Sequence, residues 1–377
     1  MLRSVMAWVL RICVIAWFVA AGTVLVVRHV LMPSVDALRE PIAAMLAQRL
    51  ALPVSIERIE GGWAGWRPRL RIEGLRIADR EGREALTLGA IDATVAWSSL
   101  LRGAPQFDRL DIQAPELVLR RDPAGSFFVA GIALPAGTGE DSGGLAWLLA
   151  QRQILIHGAR LTWQDEARAA PALVLDGVSL RLDRRGSKVR FALDARPPQV
   201  LASALVVRGE IARASRLVSL PRLSAAAGRV YLELERADLG GWQPWLDYPL
   251  PLAGRGGVRA WVDADGEGGL DVTADVALDG VQTQLGEALP ALELTRLDGR
   301  LSMTRGAKGS RFSTRGLSLT LADGLTVAPT DFDLRLDQGG EGAPVGGAMS
   351  ANRLDFAALA ALAGYLPFEA GVRARLA

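Results

Sequence analysis

Residue types that carry acid–base, metal or nucleophilic chemistry are scarce in this 377-residue chain. Histidine occurs only as His29 and His157, and Cys13 is the only cysteine. The chain therefore has almost none of the histidines that a Ser-His-Asp arrangement or a histidine-rich metal site requires. A single cysteine also excludes an intrachain disulfide framework and a multi-thiolate metal site. We interpret His157 as a solvated or hydrogen-bonded strand residue.

One acidic cluster has the spacing of a calcium-binding loop. Asp263, Asp265 and Glu267 occupy alternate positions, but the twelfth position of such a loop would be Ala274 and not a bidentate glutamate. The cluster joins two alternating apolar segments, which favours a hairpin turn over a calcium site. No phosphate-cradling glycine-rich loop of the Walker type is present. We therefore expect no enzyme activity, no metal site and no cofactor.

The charge balance does not predict a nucleic-acid partner. The chain has 43 Lys and Arg against 41 Asp and Glu, a net charge of +2. Nearly all the cations are arginines, and they are scattered between apolar residues, which is typical of a solvated strand face and not of a phosphate-binding patch.

The elements that position these residues begin with an apolar N-terminal segment. Residues 5–27 would span ~34 Å as a helix, against a hydrocarbon core of ~30 Å. A cleaved signal peptide is the alternative, but its apolar part would be shorter and followed by small residues, whereas Arg28 and Pro33 follow here. We predict a membrane anchor over residues 5–27, with residues 1–4 as a cytoplasmic tip. Arg3 and Arg11 favour this orientation, although Arg28 on the far side opposes it.

Helical spacing of apolar residues follows the anchor. Residues 34–52 predict an amphipathic juxtamembrane helix, which either lies near the membrane surface or is an ordinary core helix. Pro41 is compatible with this helix if it falls in the first turn. Three further short helices are predicted over residues 145–151, which contain Trp147, over residues 239–248, which contain Trp242 and Trp245, and over residues 355–365.

From residue 53 onward the apolar period changes to two, which predicts strands. Alternation assigns a set of positions to one apolar face: Leu70, Ile72, Leu75, Ile77, Leu86, Leu88, Ile91, Val95, Trp97, Leu110, Ile112, Leu117, Leu119, Ile154, Ile156, Leu161, Trp163, Leu173, Leu175, Val178, Leu180 and Leu182. The first segment has apolar residues at positions i, i+2, i+5 and i+7, with Gly74 between the two pairs. A β-bulge at the glycine would keep both pairs on one face and bend the strand.

Two architectures fit these bent strands. A β-sandwich would bury the two halves against each other. The alternative is a strongly curved antiparallel sheet around an apolar groove that stays open on one side. Because one bent unit recurs along the chain, we favour an extended, repeat-like sheet over residues 53–377. Since the last residues predict the beginning of another strand, we expect the chain to be the N-terminal part of a longer one.

Four segments resemble a known family. They are PSVDALREPI (33–42), LPVSIERIEGGW (52–63), RPRLRIEGLRI (67–77) and VAWSSLL (95–101). Together with the anchor they resemble the N-terminal portion of YhdP-like proteins, a branch of the AsmA-like superfamily of bridge-like lipid-transfer proteins in Gram-negative bacteria. The resemblance is specific over residues 1–135.

The resemblance implies an anchor in the inner membrane and a body in the periplasm. It implies a β-groove that carries phospholipid acyl chains toward the outer membrane, with phospholipids and the inner membrane as partners. A C-terminal part beyond this chain would contact outer-membrane or periplasmic proteins. No family motif assigns lipid contacts, so the apolar positions above become lipid-groove candidates through alternation alone. A scaffold that binds protein partners without carrying lipid is the alternative function.

Overall fold

The computed structural model describes residues 2–50, 52–78, 84–99, 105–129, 132–134, 147–148, 150–212, 227–246, 248, 250–306, 309–338, 344–353 and 355–365. The chain divides into two compact units. The first unit comprises Met1–Glu116 and Gly143–His157, and the second comprises Leu117–Ser142 and Gly158–Ala377. The predicted strand at the extreme C-terminus lies outside the described residues.

The first unit begins with the predicted apolar helix. Helix α1 spans Leu2–Val26 and continues as a π-helical turn over Val27–Leu31. The segment Val5–Leu31 has a mean hydropathy of 2.3, so it is long and apolar enough to cross a membrane. None of the residues in its most apolar stretch is buried. A 3₁₀ turn at Val35–Leu38 and helix α2 at Arg39–Leu50 follow, with Pro41 in the first turn of α2.

Strands account for most of the remaining described residues. In chain order, β1 to β19 are Val54–Ser55, Arg58–Ala64, Arg67–Ala78, Glu84–Val95, Phe107–Gln113, Glu116–Arg121, Phe127–Val129, Ile132–Leu134, Gln153–Asp165, Leu173–Arg185, Lys188–Arg196, Ala204–Ala212, Gly228–Asp238, Leu252–Ala264, Leu270–Thr283, Leu292–Gly306, Gly309–Leu321, Thr326–Gln338 and Pro344–Ala351. Helix α3, Phe356–Ala363, follows them and is capped by the Asp355 carboxylate. The fold is therefore mainly β with an apolar N-terminal helix and a few short helices, as predicted.

Neighbouring strands pair almost entirely in antiparallel fashion. In the first unit, β2, β3, β4 and β5 form successive antiparallel pairs, and β5 pairs in parallel with the start of β9. In the second unit, every strand from β10 to β18 pairs antiparallel with the next one along the chain. The sheet is open: no register closes it into a barrel within the described residues.

Backbone bends occur at the predicted junctions. Gly74 and Gly177 have φ values of 62° and 58°, which L-residues with a Cβ rarely adopt. In the β10–β11 pair the register shifts between Asp176 and Ser179, as a β-bulge requires. In β3, Ile72 and Leu75 are both 6% exposed although they are three residues apart. The bend therefore keeps both side chains on the buried face.

Residues 239–245 form consecutive turns, so the helix predicted there is wrong. The Trp242 indole donates a hydrogen bond to the Leu201 carbonyl, and the Trp245 indole donates one to the Pro171 carbonyl. The spacing of the two tryptophans reflects these tertiary hydrogen bonds and not a helical face.

Candidate functional site: the apolar face of the second-unit sheet

One face of the second-unit sheet, from β10 to β19, is formed mainly by apolar residues. In an antiparallel pair, residues directly opposite each other project from the same face. The registers therefore define continuous rows across the strands. One row consists of Leu182, Phe191, Gly209, Val230, Val262, Val272, Met303, Phe312, Leu334 and Met349. We call this row the open row.

A second, mainly apolar row lies beside the open row and is displaced from it by two residues along each strand. It consists of Leu180, Leu193, Val207, Leu232, Ala260, Ala274, Leu301, Thr314, Phe332 and Ala351. Neither row contains a charged residue. We refer to the two rows together as the inner face, since all their members except Gly209 and Thr314 have hydrocarbon or thioether side chains.

The inner face is only partly covered by the protein. In the open row, Met303 is 42% exposed, Phe312 39% and Met349 63%, and none of its members is buried. Burial rises toward the other end of the same strands, where Val281 is 1% exposed and Leu294 5%. Contiguous exposed apolar surface of this kind usually marks a binding site for another apolar molecule.

The opposite face of the same strands is charged. Glu233, Arg259, Asp275 and Arg300 lie opposite one another from β13 to β16 and alternate in sign. The Arg259 guanidinium is 2.8 Å from Glu233, and that of Arg300 is 2.6 Å from Asp275. The hydrogen bond from Arg300 holds the pKa of Asp275 below its ordinary value. This outer face is satisfied by its own ion pairs and suits contact with water.

Charged residues cluster at one end of strands β11 to β16. A cavity of about 850 Å³ lies there, and its lining includes Lys188, Glu210, Arg229 and Asp263, which project from the outer face, together with Arg305. Arg305 lies opposite Leu270, on the same face as the apolar rows. Of the charged residues named here, Arg305 is therefore the one that projects beside the apolar rows.

Comparison with known proteins adds one finding to this geometry. A family model described as YhdP protein matches residues 1–377. The chain belongs to the YhdP family. No curated protein and no solved structure matches it.

In this YhdP-family chain, the predicted groove positions of the first unit are mostly buried by the protein itself. Ile72, Ile91 and Ile112 lie opposite one another in a row that also includes Ile59 and Ile156. Ile59 is 1% exposed, and Leu75, Ile77, Leu88, Leu110 and Ile154 are also buried. Leu70, Leu86 and Val95 are half-buried on the same strands, whereas Trp97 lies in a turn just after β4.

The predicted positions of the second unit are less uniform. Leu173, Leu175 and Val178 are buried, whereas the other members are half-buried: Leu117, Leu119, Leu161, Trp163, Leu180 and Leu182. The registers place Leu180 and Leu182 on the inner face. Contact of any of these positions with lipid stays a prediction.

Sequence reasoning missed the most exposed part of the inner face. Met303, Phe312 and Met349 lie after the last predicted position, Leu182, in segments where alternation is looser. Alternation in β17 is visible only when the strands are aligned, because Ser310 and Thr314 interrupt the apolar pattern there. A search for apolar residues opposite one another across successive hairpins would have found them.

The polar groups singled out in the sequence have structural partners. Asp265 lies in the turn between β14 and β15, where its carboxylate accepts hydrogen bonds from the backbone N–H groups of Glu267 and Gly269. These bonds lower the pKa of Asp265. The His157 ring lies 3.4 Å from the Asp111 carboxylate and is half-exposed. Both residues therefore match the structural roles predicted for them.

Proposed function

We propose that the chain is an inner-membrane-anchored segment of a phospholipid transport bridge. Its body lies in the periplasm and carries acyl chains along the inner face toward the outer membrane. Membership of the YhdP family, an N-terminal helix able to span a membrane and an open sheet support this proposal. The observation that carries it is the open row, where Met303, Phe312 and Met349 leave hydrocarbon exposed.

The energetics explain why such a face suits transfer. Each CH₂ of an acyl chain costs ~0.8 kcal/mol when it is exposed to water, so a chain that leaves a bilayer needs continuous apolar cover. The two apolar rows cross strands that lie ~4.8 Å apart, and no charged side chain interrupts them. Side chains of similar polarity along the rows give a chain similar affinity at each step. A lipid could therefore move along the face without being trapped at one point.

Photo-crosslinking tests this proposal with a matched pair of sites. Benzoylphenylalanine replaces Phe312 on the inner face in one variant and Arg311 on the outer face in the other. These neighbours differ in the face from which they project, because successive strand residues alternate. After irradiation of cells that contain the anchored chain, mass spectrometry measures phospholipid adducts. We expect adducts at position 312 and none above background at position 311.

A scaffold that binds proteins is the second candidate function. The first unit favours it, because Ile59, Ile72 and Leu75 are already buried within the protein there and are not open to lipid. Crosslinks from position 312 to a protein, without phospholipid adducts, would support the scaffold and contradict the bridge. In both candidates we propose that the chain is not an enzyme. Substrate turnover that one point substitution abolishes would contradict that proposal.

A further inference from the structure

The end of the anchor and the turns that follow it, residues 28–36, lie alongside strand β2. Three pairs of residues join them: Asp36 with Ile59, Met32 with Gly61, and Arg28 with Trp63. The Ile59 N–H donates a hydrogen bond of 3.1 Å to the Asp36 carboxylate. A Cβ at Gly61 would collide with the Met32 carbonyl oxygen, so the two backbones are in close contact. The Arg28 guanidinium lies 5.6 Å from the centre of the Trp63 ring.

The order of these pairs gives the direction of β2. As the residue number rises by two along β2, the number of the anchor residue falls by four. The partners lie in a π-helical turn, the turn that follows it and a 3₁₀ turn, so the direction is taken from the order of the three pairs and not from a helical rise. Strand β2 therefore runs antiparallel to the anchor. From Ile59 to Trp63 the chain returns toward the membrane that the anchor is able to cross.

The segment Val5–Leu31 is longer than a bilayer core requires. Its 27 residues span ~40 Å as a helix, whereas the hydrocarbon is ~30 Å thick. Arg28, near its end, therefore belongs in the headgroup region, where a charged side chain is tolerated. Since Trp63 contacts Arg28, the indole of Trp63 lies at the same depth.

The β2–β3 hairpin continues past Trp63 in the same direction. Its turn contains Gly65 and Trp66, and Trp66 is 82% exposed. The Trp97 indole donates a hydrogen bond to the Trp66 carbonyl and packs beside the Trp63 ring, which stabilises the tip. An exposed tryptophan is costly in water but favourable at the boundary between headgroups and hydrocarbon.

We infer that the tip of the β2–β3 hairpin, with Trp66 at its apex, inserts into the surface of the membrane that the anchor crosses. The partner is the lipid bilayer itself, at the depth of the last turn of α1. The hairpin is a second membrane contact, and it holds the first unit against the bilayer in a fixed orientation. This contact depends only on the anchor crossing a membrane and not on lipid transport along the inner face.

Depth-dependent fluorescence quenching tests the contact in the full chain. Cys13 is the only cysteine, so a Cys13→Ala background allows a single label. Trp66→Cys places a nitrobenzoxadiazole label at the tip, and Ala64→Cys labels the neighbouring strand end while Trp66 stays in place. Ser55→Cys is the matched control, because exposed Ser55 pairs with Arg76 at the opposite end of β3. The vesicles contain phosphatidylethanolamine and phosphatidylglycerol, with a spin label on carbon 5 of one acyl chain.

We expect at least twofold stronger quenching at positions 64 and 66 than at position 55. Strong quenching at position 64 without strong quenching at position 66 also supports the contact. The Trp66→Cys substitution itself removes the indole that is proposed to insert. Equal quenching at all three positions would overturn it. The readout is depth in the bilayer, so this inference and the proposed transport along the inner face fail independently.

Discussion

At the scale of single residues, ion pairs between neighbouring side chains order the outer face. The Glu210 carboxylate accepts hydrogen bonds of 2.7 Å from both Lys188 and Arg190. These bonds, from Lys188 first and then Arg190, lower the pKa of Glu210 to about 2. Surface ion pairs contribute little each to the free energy of unfolding, but they fix the side chains of this face.

Removing the two cations gives a prediction for Glu210. In the variant with Lys188→Ala and Arg190→Ala, we expect the pKa of Glu210 to rise toward its ordinary value of 4.5. Carboxylate NMR of a selectively labelled chain measures this pKa. Arg208→Ala is the control, since Arg208 pairs with Asp194 and not with Glu210. An unchanged pKa in the double variant would contradict the assignment.

The same ion pairs predict the direction of acid destabilisation. A carboxylate whose pKa is lower in the folded state than in the unfolded state stabilises the folded state. The stabilisation is complete above the unfolded-state pKa and is lost as the pH falls through the folded-state pKa. For Glu210 this window runs from about 4.5 down to about 2. In the wild type, Glu210 should therefore contribute to a fall in urea midpoint across this pH range. The double variant should show a smaller change over the same range.

At the scale of the elements, positive φ at the bulges sets the bend of the strands. In β15, Gly280 has a φ of 60° and open space where a Cβ would lie. In β13 the corresponding bulge contains Arg236, with a φ of 46° and a register shift between Leu234 and Ala237. An arginine in this region is strained by ~1 kcal/mol, whereas glycine is not.

Two substitutions with opposite expected signs test this interpretation. Gly280→Ala should lower the free energy of unfolding by about 1 kcal/mol, because the new Cβ strains the backbone and meets no neighbour. Arg236→Gly should raise it by about 0.5 kcal/mol. Urea denaturation followed by tryptophan fluorescence measures both. Gly257→Ala in β14 is the control, since Gly257 has open space but no positive φ. Equal losses in Gly280→Ala and Gly257→Ala would show that φ is not the cause.

At the scale of the whole molecule, the two units treat their apolar faces differently. The first unit buries Ile59, Ile72 and Ile91 and is connected to the anchor through β2. The second unit leaves Met303 and Phe312 exposed. In the function proposed above, the first unit would be a base at the membrane and the second would provide the surface for acyl chains.

A charge on the inner face should reduce lipid contact at the residues that neighbour the substituted one. Phe312→Lys places an ammonium group on the open row, and bringing that charge against acyl chains is costly. We expect phospholipid adducts at a benzoylphenylalanine in place of Leu334, which lies opposite Phe312, to fall several-fold. Ser313→Lys, on the outer face opposite Asp333, is the matched control and should leave the adducts unchanged. Equal adduct yields in the two variants would contradict a lipid on the inner face.

Local patterns in the sequence are sufficient for much of the fold. An uncharged run of anchor length, alternation from residue 53 onward, and a glycine between Ile72 and Leu75 each depend on near neighbours in the chain. They predict the apolar helix, the strands and the bend at Gly74, because helix length, strand period and glycine φ are local properties. The scarcity of histidine and cysteine likewise limits the chemistry without any structure.

The tertiary structure decided which apolar residues are covered and which are open. Ile72 and Phe312 both belong to alternating strands, yet one is 6% exposed and the other 39%, because exposure depends on what packs against the face and not on the period. The hydrogen bonds of Trp242 and Trp245 join residues far apart in the chain, so their spacing predicted a helix that does not form. The antiparallel course of β2 beside the end of the anchor likewise depends on contacts between residues far apart in the chain, such as Arg28 and Trp63. Alternation gives each strand two faces, but only the packing of distant segments determines which face remains free to bind.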